Sequence, residues 1–426
     1  MQSTGVMEQR GAIAQRGLRG WPLRVLNTEW GMAALIFLVT RLVALAGGYM
    51  GVSQLIRTQP SYNRGWLAEM SLMWDAGFYY TIARWEYTYD PTFAGPTSIA
   101  FAPLYPFLMD YVAGALRFVT FGWDWGNAEF GSYLAAGLLI SNVSFFVALA
   151  LLIRFLRPRL GFTGASMAAL GLAVLPTAFF FSALYTEGLF LVLVISAFSL
   201  AHSDLRWKWL CVGLIGMLAT LSKFAGALLL PALLIDYLAQ CGWKWRRVRA
   251  DVLWLGLIPL GMAVYLGFLW WRFGSPSVLN DTMVRGWNHR LSFFPTTYGE
   301  NLVMLWKSYT GGYPPGLDPI LNNGRGSRLY HILDLGMPVA LLVGAWLARK
   351  KLLASEWAWL VLGIIYPLSS NLTLSMARYM LPLWPGLIWL GTLKKGSRWL
   401  GVLLMLVSVA LMAWCASIYG RASWIG

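Results

Sequence analysis

Thiols and imidazoles are scarce in this chain: three cysteines and three histidines in 426 residues. Cys211, Cys241 and Cys415 stand far apart, in or beside apolar runs, so they offer neither a disulfide framework nor the paired spacing of a metal site. With only His202, His289 and His331 to join them, no zinc centre is expected. Charge is scarce too. Only 12% of residues are charged against 58% hydrophobic, a balance that excludes a soluble globular domain. Acidic residues are the rarer sign, 18 against 33 basic, which leaves a net charge of +15. That excess does not mark a nucleic-acid partner. Its basic residues sit in short clusters between apolar runs, as the positive-inside rule expects, and no nucleic-acid-binding motif accompanies them. Arg10, Arg16, Arg19 and Arg24 precede the first apolar run without a small-residue cleavage site. Residues 1–30 therefore read as a cytosolic basic tail ahead of an uncleaved first helix.

What the chain has in abundance is apolar sequence of membrane-spanning length, recurring from Gly31 to Gly426. The pattern predicts an all-α polytopic membrane protein with about eleven transmembrane helices, N-terminus inside and C-terminus outside, and one membrane domain over 31–426. The expected spans cover 31–56, 129–153, 164–184, 188–202, 209–222, 225–240 and 251–271. Four more follow: one ending at Arg349–Lys351, one at NLTLSMARYM, one returning to Lys394 and Lys395, and one reaching Gly426. Residues 57–128 form a first external loop carrying amphipathic interfacial helices. Within it 101–121 is left out of the count, because a span there would place Arg154, Arg157 and Arg159 outside. Residues 273–330 form a second external loop with RGWNHR and YPPGLDP, whose turn chemistry and length point to function. Asp75, Glu187, Lys223, the 285–290 cluster and Arg378 then gather on one side of the membrane, where the chemistry is expected.

The stretch from Trp74 to Pro106 organises these residues. On a helical wheel Trp74, Phe78, Ile82 and Trp85 share a face, with Asp75, Tyr79 and Glu86 on its flank, which describes a helix in the membrane interface with its aromatic side down. Asp75 reads as a helix cap or as a general base taking a proton from an attacking hydroxyl. Arg378 is a headgroup anchor or a planar fork for a phosphate, with Ser375 and Tyr379 near the same face of its turn. Lys223, where two short spans meet, is a turn residue or neutralises a phosphate leaving group. Glu187 caps the fourth span, hydrogen-bonds substrate, or pairs with Lys223 or an arginine. Arg41, inside the first span, reaches the same site or partners a buried carboxylate. His289 and Arg290 are placed to meet a donor or acceptor headgroup, His289 being more simply solvent-facing. Most of the 24 tryptophans are belt residues, while Trp74 and Trp287 are positioned to stack on a sugar.

Six islands occur in one order: WDAGFYYTIARWEY (74–87), FAPLYP (101–106, with Tyr105), FFFSALYTEGLF (179–190), LATLSKFAGALLLP (218–231), WRFGSPSVLNDTMVRGW (271–287) and SMARYMLPLWP (375–385). Together they resemble the PIG-V family of GPI mannosyltransferase II and its prokaryotic relatives, a branch of the GT-C polytopic glycosyltransferases. The islands extend over most of the chain from Arg41 onward. The chain departs from that pattern at Gly77 and Phe78 after the W-D-A, at Phe101–Ala102, and at Lys223, where the family has arginine. A lysine keeps the charge and loses the bidentate fork.

The resemblance implies an inverting glycosyltransferase that moves a sugar, typically mannose, from a polyprenyl- or dolichyl-phosphate donor to a lipid, glycolipid or other extracytoplasmic acceptor. Asp75 is then the base, and Arg378 and Lys223, with Arg41, neutralise the departing phosphate. A monophosphate needs less charge compensation than a pyrophosphate, so no metal or other cofactor is expected. Compact length and short loops point to a bacterial plasma membrane rather than the endoplasmic reticulum. The rival from another class is a transporter or flippase of lipid-linked saccharide. Against it stand the absence of repeated spans and the gathering of polar residues on one face.

Overall fold

The computed structural model describes residues 27–59, 61–62, 64–93, 95–119, 128–310, 326–371 and 375–425. The tail up to residue 26 and YPPGLDP therefore lie outside the described residues. Among those described, regular structure is helical apart from one isolated bridge between Leu291 and Ser370. The protein is an integral membrane protein: five of its helices are long and apolar enough to cross a bilayer, and shorter apolar helices pack among them.

The first of the five, α1 (Glu29–Thr58), starts at Thr28, whose side chain accepts the Gly31 N–H at 3.0 Å. Two short helices follow, α2 (Trp66–Ser71) and α3 (Asp75–Trp85), then α4 (Leu104–Val119). With 16 residues α4 falls short of the ~20 that a span needs, in keeping with its omission from the count. It is pinned by Tyr133 donating to Asp110 at 2.9 Å and Arg117 donating to Ser132 at 2.8 Å.

Helix α5 (Ala128–Ala173) has 46 residues, roughly twice what a bilayer requires. It is two legs. Pro158 and Gly161, at φ 70°, break it beside the arginine cluster, where the sequence places a cytosolic turn. The second leg, expected to continue to 184, stops at Ala173; beyond Pro176 the chain unwinds into a 3₁₀ turn over Ala178–Phe181. Then come α6 (Glu187–Ala201), α7 (Lys208–Ser222), α8 (Leu229–Gln240) and α9 (Leu257–Phe273). After α10 (Phe294–Thr310), α11 (Gly326–Leu347) and α12 (Ala354–Leu368), the expected tenth span is also interrupted. It begins as α13 (Met376–Tyr379), loosens, and re-forms over Trp384–Thr392 before the last helix, α14 (Arg398–Gly420).

Unwound backbone at membrane depth survives only where protein satisfies it. Here Arg41 does so. Its Nη2 donates to the Ala173 carbonyl at 2.9 Å and its Nη1 to Ala178 at 2.7 Å, with the guanidinium 4.7 Å over the Phe145 ring. The expectation that Arg41 reaches the phosphate site or a buried carboxylate is thus corrected. Its partners are carbonyls left open by an interrupted helix. The two interrupted segments meet through Thr177, whose hydroxyl donates to the Ala377 carbonyl at 3.1 Å.

Helix α3 differs from its expected attitude. Tyr79, Tyr80 and Ile82 are buried, while Trp85 is 56% exposed, so the helix packs into protein instead of laying an aromatic face on lipid. Glu86 turns outward and pairs with Arg272.

Candidate active site

Four charged side chains, each at a helix end or break, converge. Asp75 is the first residue of α3, Glu187 the first of α6, Lys223 caps α7, and Arg378 sits in α13. Acids at helix N-termini and a lysine at a C-terminus suit the helix dipoles. Arg378 Nη1 donates to Asp75 Oδ2 at 2.7 Å, and its Nε lies 3.4 Å from Glu187 Oε1. Lys223 Nζ donates to the same Glu187 oxygen at 3.2 Å and lies 4.3 Å over the Tyr379 ring. These side chains are only 3–14% exposed, so their mutual fields are poorly screened. Two acids face two cations, and the cluster is neutral as it stands.

Asp75 is therefore no cap. The cap position belongs to Trp74, at φ 58° and ψ −125°, which makes no side-chain cap bond. That strained turn is held from behind: the Met73 carbonyl accepts the Tyr419 hydroxyl at 2.9 Å and the Tyr185 hydroxyl at 3.2 Å. Glu187 is no cap either, since its carboxylate is committed to Lys223 and Arg378. Burial lowers the Lys223 ammonium against the pull of Glu187. A guanidinium keeps its proton in proteins, so Arg378 is the permanent charge of the site and Lys223 the more easily discharged one.

Aromatic rings wall the cluster. The Arg378 guanidinium lies 5.2 Å over Tyr185 and 5.4 Å over Trp424, and Trp74 meets Trp424 edge-on at 5.2 Å. Tyr79 packs against Tyr105, Tyr185 and Phe101, and burial, reinforced by the Glu187 carboxylate, pushes its phenol well above the usual range. Phe78, one turn after Asp75, is stacked on Phe101 and leans on Trp287 at 5.5 Å. Glu187 Oε2 and the indole N–H groups of Trp74 and Trp287 are buried and find no hydrogen-bond partner among the described residues. Such groups around an ion cluster suit a hydroxyl-rich ligand.

Three sequence candidates have their polar groups engaged elsewhere. The Tyr105 hydroxyl is spent on the Gly137 carbonyl and Ser141, so it ties α4 to α5. Arg290 is exposed, and its backbone N–H donates to Asn371 Oδ1 at 2.6 Å, which places it in a loop clamp. His289, hydrogen-bonded to Ser370, belongs to the same clamp and is held below its ordinary basicity by burial. Conversely, Asp334 on α11 escaped sequence reasoning, although a carboxylate inside a span was signal enough. Tyr185 and Tyr419 also escaped; nothing in the sequence marks them as supports of the Asp75 turn.

Residues 125–271 match the family model described as dolichyl-phosphate-mannose-protein mannosyltransferase. No curated protein matches the chain. The solved structures similar to it include the oligosaccharyltransferase of Archaeoglobus fulgidus in its apo form, at 15% identity and TM-score 0.49, over 92% of this chain and 56% of that one. The same enzyme with zinc and sulfate aligns at 14% identity and TM-score 0.47, over 92% and 53%. Its complex with an inhibitory peptide and a dolichol-phosphate aligns at 14% and 0.47, over 92% and 56%. This chain spans about half the length of those structures.

Proposed function

We propose that this protein is a PIG-V-like, GT-C type inverting glycosyltransferase. It moves a sugar, of the mannose class, from a polyprenyl-phosphate donor to a lipid or glycolipid acceptor at the extracytoplasmic face of a bacterial plasma membrane. The observation that carries the proposal is the buried cluster in which Asp75 touches Arg378 at 2.7 Å, with Glu187 and Lys223 beside them. The match over residues 125–271 supports the same donor class.

Asp75 takes the proton of the acceptor hydroxyl as its oxygen attacks the anomeric carbon. The bond from that carbon to the phosphate oxygen breaks on the opposite face, the configuration inverts, and the bonding pair leaves on the phosphate. Arg378 and Lys223 neutralise that oxygen without further reorganisation. Glu187 Oε2 and the indole of Trp74 are free to bind sugar hydroxyls. In-line attack puts base and leaving group on opposite sides of one carbon, so the Asp75–Arg378 contact must part when donor binds. The donor phosphate therefore competes with Asp75 for Arg378, and its arrival frees the base.

The test is to incubate purified protein with polyprenyl-phosphate mannose and a membrane lipid extract, then identify the product by mass spectrometry. A mannosylated lipid, absent with Asp75→Asn, is the expected result. Relocation of intact donor across a bilayer with no new product would replace transfer with transport.

A further inference from the structure

Asp334 lies in the middle of α11, a helix of spanning length, and is 2% exposed. A carboxylate there is costly unless it has partners. Its Oδ1 accepts the Ala377 N–H at 2.8 Å, one residue before Arg378. One turn earlier on α11, the Tyr330 hydroxyl accepts the Ser375 N–H at 3.2 Å. From the other side Thr177 donates to the Ala377 carbonyl. Ala377, the residue ahead of Arg378, is thus held at both its backbone N–H and its carbonyl. Such holding is needed, because α13 has only four residues, too few to be stable alone, and starts from Ser375 at φ 69°.

We propose that Asp334 is a positioning residue: by accepting the Ala377 N–H it sets the turn that aims Arg378 at Asp75, Glu187 and the donor phosphate. It touches no reacting atom and acts through the arginine. The assignment rests on Arg378 being the phosphate ligand. A shift of the guanidinium by about 1 Å is enough to lose much of the binding it was placed to make.

The experiment uses full-length protein in nanodiscs with polyprenyl-phosphate mannose as donor, and separates the KM of donor from that of acceptor. Asp334→Ala is expected to raise the donor KM about tenfold or more with the acceptor KM within about twofold. Asp334→Asn keeps an oxygen acceptor and restores the donor KM to within about threefold of the parent. Tyr330→Phe, which removes the hydroxyl that accepts the Ser375 N–H and also bonds the Asp334 carboxyl, shifts donor KM in the same direction by less and replaces Asp334→Ala if that variant fails to accumulate. An unchanged donor KM in Asp334→Ala, equal shifts in both KM values, or Asp334→Asn as damaging as alanine overturns the assignment. Arg378→Ala runs in parallel. If it loses donor affinity while the Asp334 variants do not, only the positioning role fails; if it leaves donor KM unchanged, the proposed function fails with it.

Discussion

Asp75 and Arg378 are 303 positions apart and share one hydrogen bond, so each controls what the other can do. Replacing Asp75 with Asn removes the base and also the competitor for the guanidinium. Transfer is expected to fall by about 10²–10⁴-fold, the range of general base catalysis, while polyprenyl phosphate binds as well as before or more tightly. Titration of the variant with that lipid checks it; loss of binding together with activity would mean that Asp75 is a ligand and not a base. Arg378→Lys keeps a charge and loses the fork, so donor KM should rise by roughly tenfold with little effect on acceptor KM. Steady-state kinetics in both substrates decide this, and a change confined to the acceptor would assign Arg378 elsewhere.

At the scale of elements, the first and last helices, α1 and α14, pack along one another through glycine. A Cβ on Gly51 would sit 2.1 Å from the Ser417 carbonyl oxygen, and one on Gly47 2.3 Å from that of Ala413. Because the obstacle is backbone, the helices must separate, and such overpacking costs about 1–3 kcal/mol. Gly51→Ala should therefore lower the thermal midpoint in detergent, whereas Gly267→Ala, which meets nothing within 4 Å, should leave it unchanged or slightly higher. Equal midpoints for the two would show that the helix pair yields freely. At the opposite end of the bundle, Arg159 forks onto the buried Glu356 at 2.6 and 2.8 Å and joins α5 to α12. Glu356→Ala leaves a guanidinium without its partner, and a loss of about 3–5 kcal/mol is expected in unfolding experiments. A midpoint within error of the parent would refute that.

The proposed topology puts the short basic loops on one side of the membrane and the ion cluster on the other. Single cysteines at 247 and 285, introduced after the three native cysteines are replaced, should react with a membrane-impermeant maleimide from opposite sides, 285 from outside. Labelling of both from one side would overturn the opposite placement of loops and cluster, and labelling of 285 from inside would invert the proposed face of the site. Much of this arrangement was legible beforehand. Arginine clusters located the turns at Pro158 and Lys244–Arg249, and apolar runs gave α1, α7 and α9 close to their limits. Illegible were the breaks. Hydropathy reports apolar surface and not backbone hydrogen bonding, so 174–184 and 380–383 read as parts of continuous spans although α-helix is interrupted at both.

The sequence by itself determined the class of protein, because burying so many apolar side chains leaves a bilayer as the solvent, and it marked Asp75, Glu187, Lys223 and Arg378 as charges too costly to be idle. Only the tertiary structure decided how they combine: that Arg378 bridges both acids, that Arg41 serves interrupted backbone, and that Tyr105 is a strut. Those outcomes depend on where broken helices meet in space. A charge in apolar surroundings must find a partner, but which one it finds is fixed by contacts hundreds of residues away, and no local pattern in the chain records them.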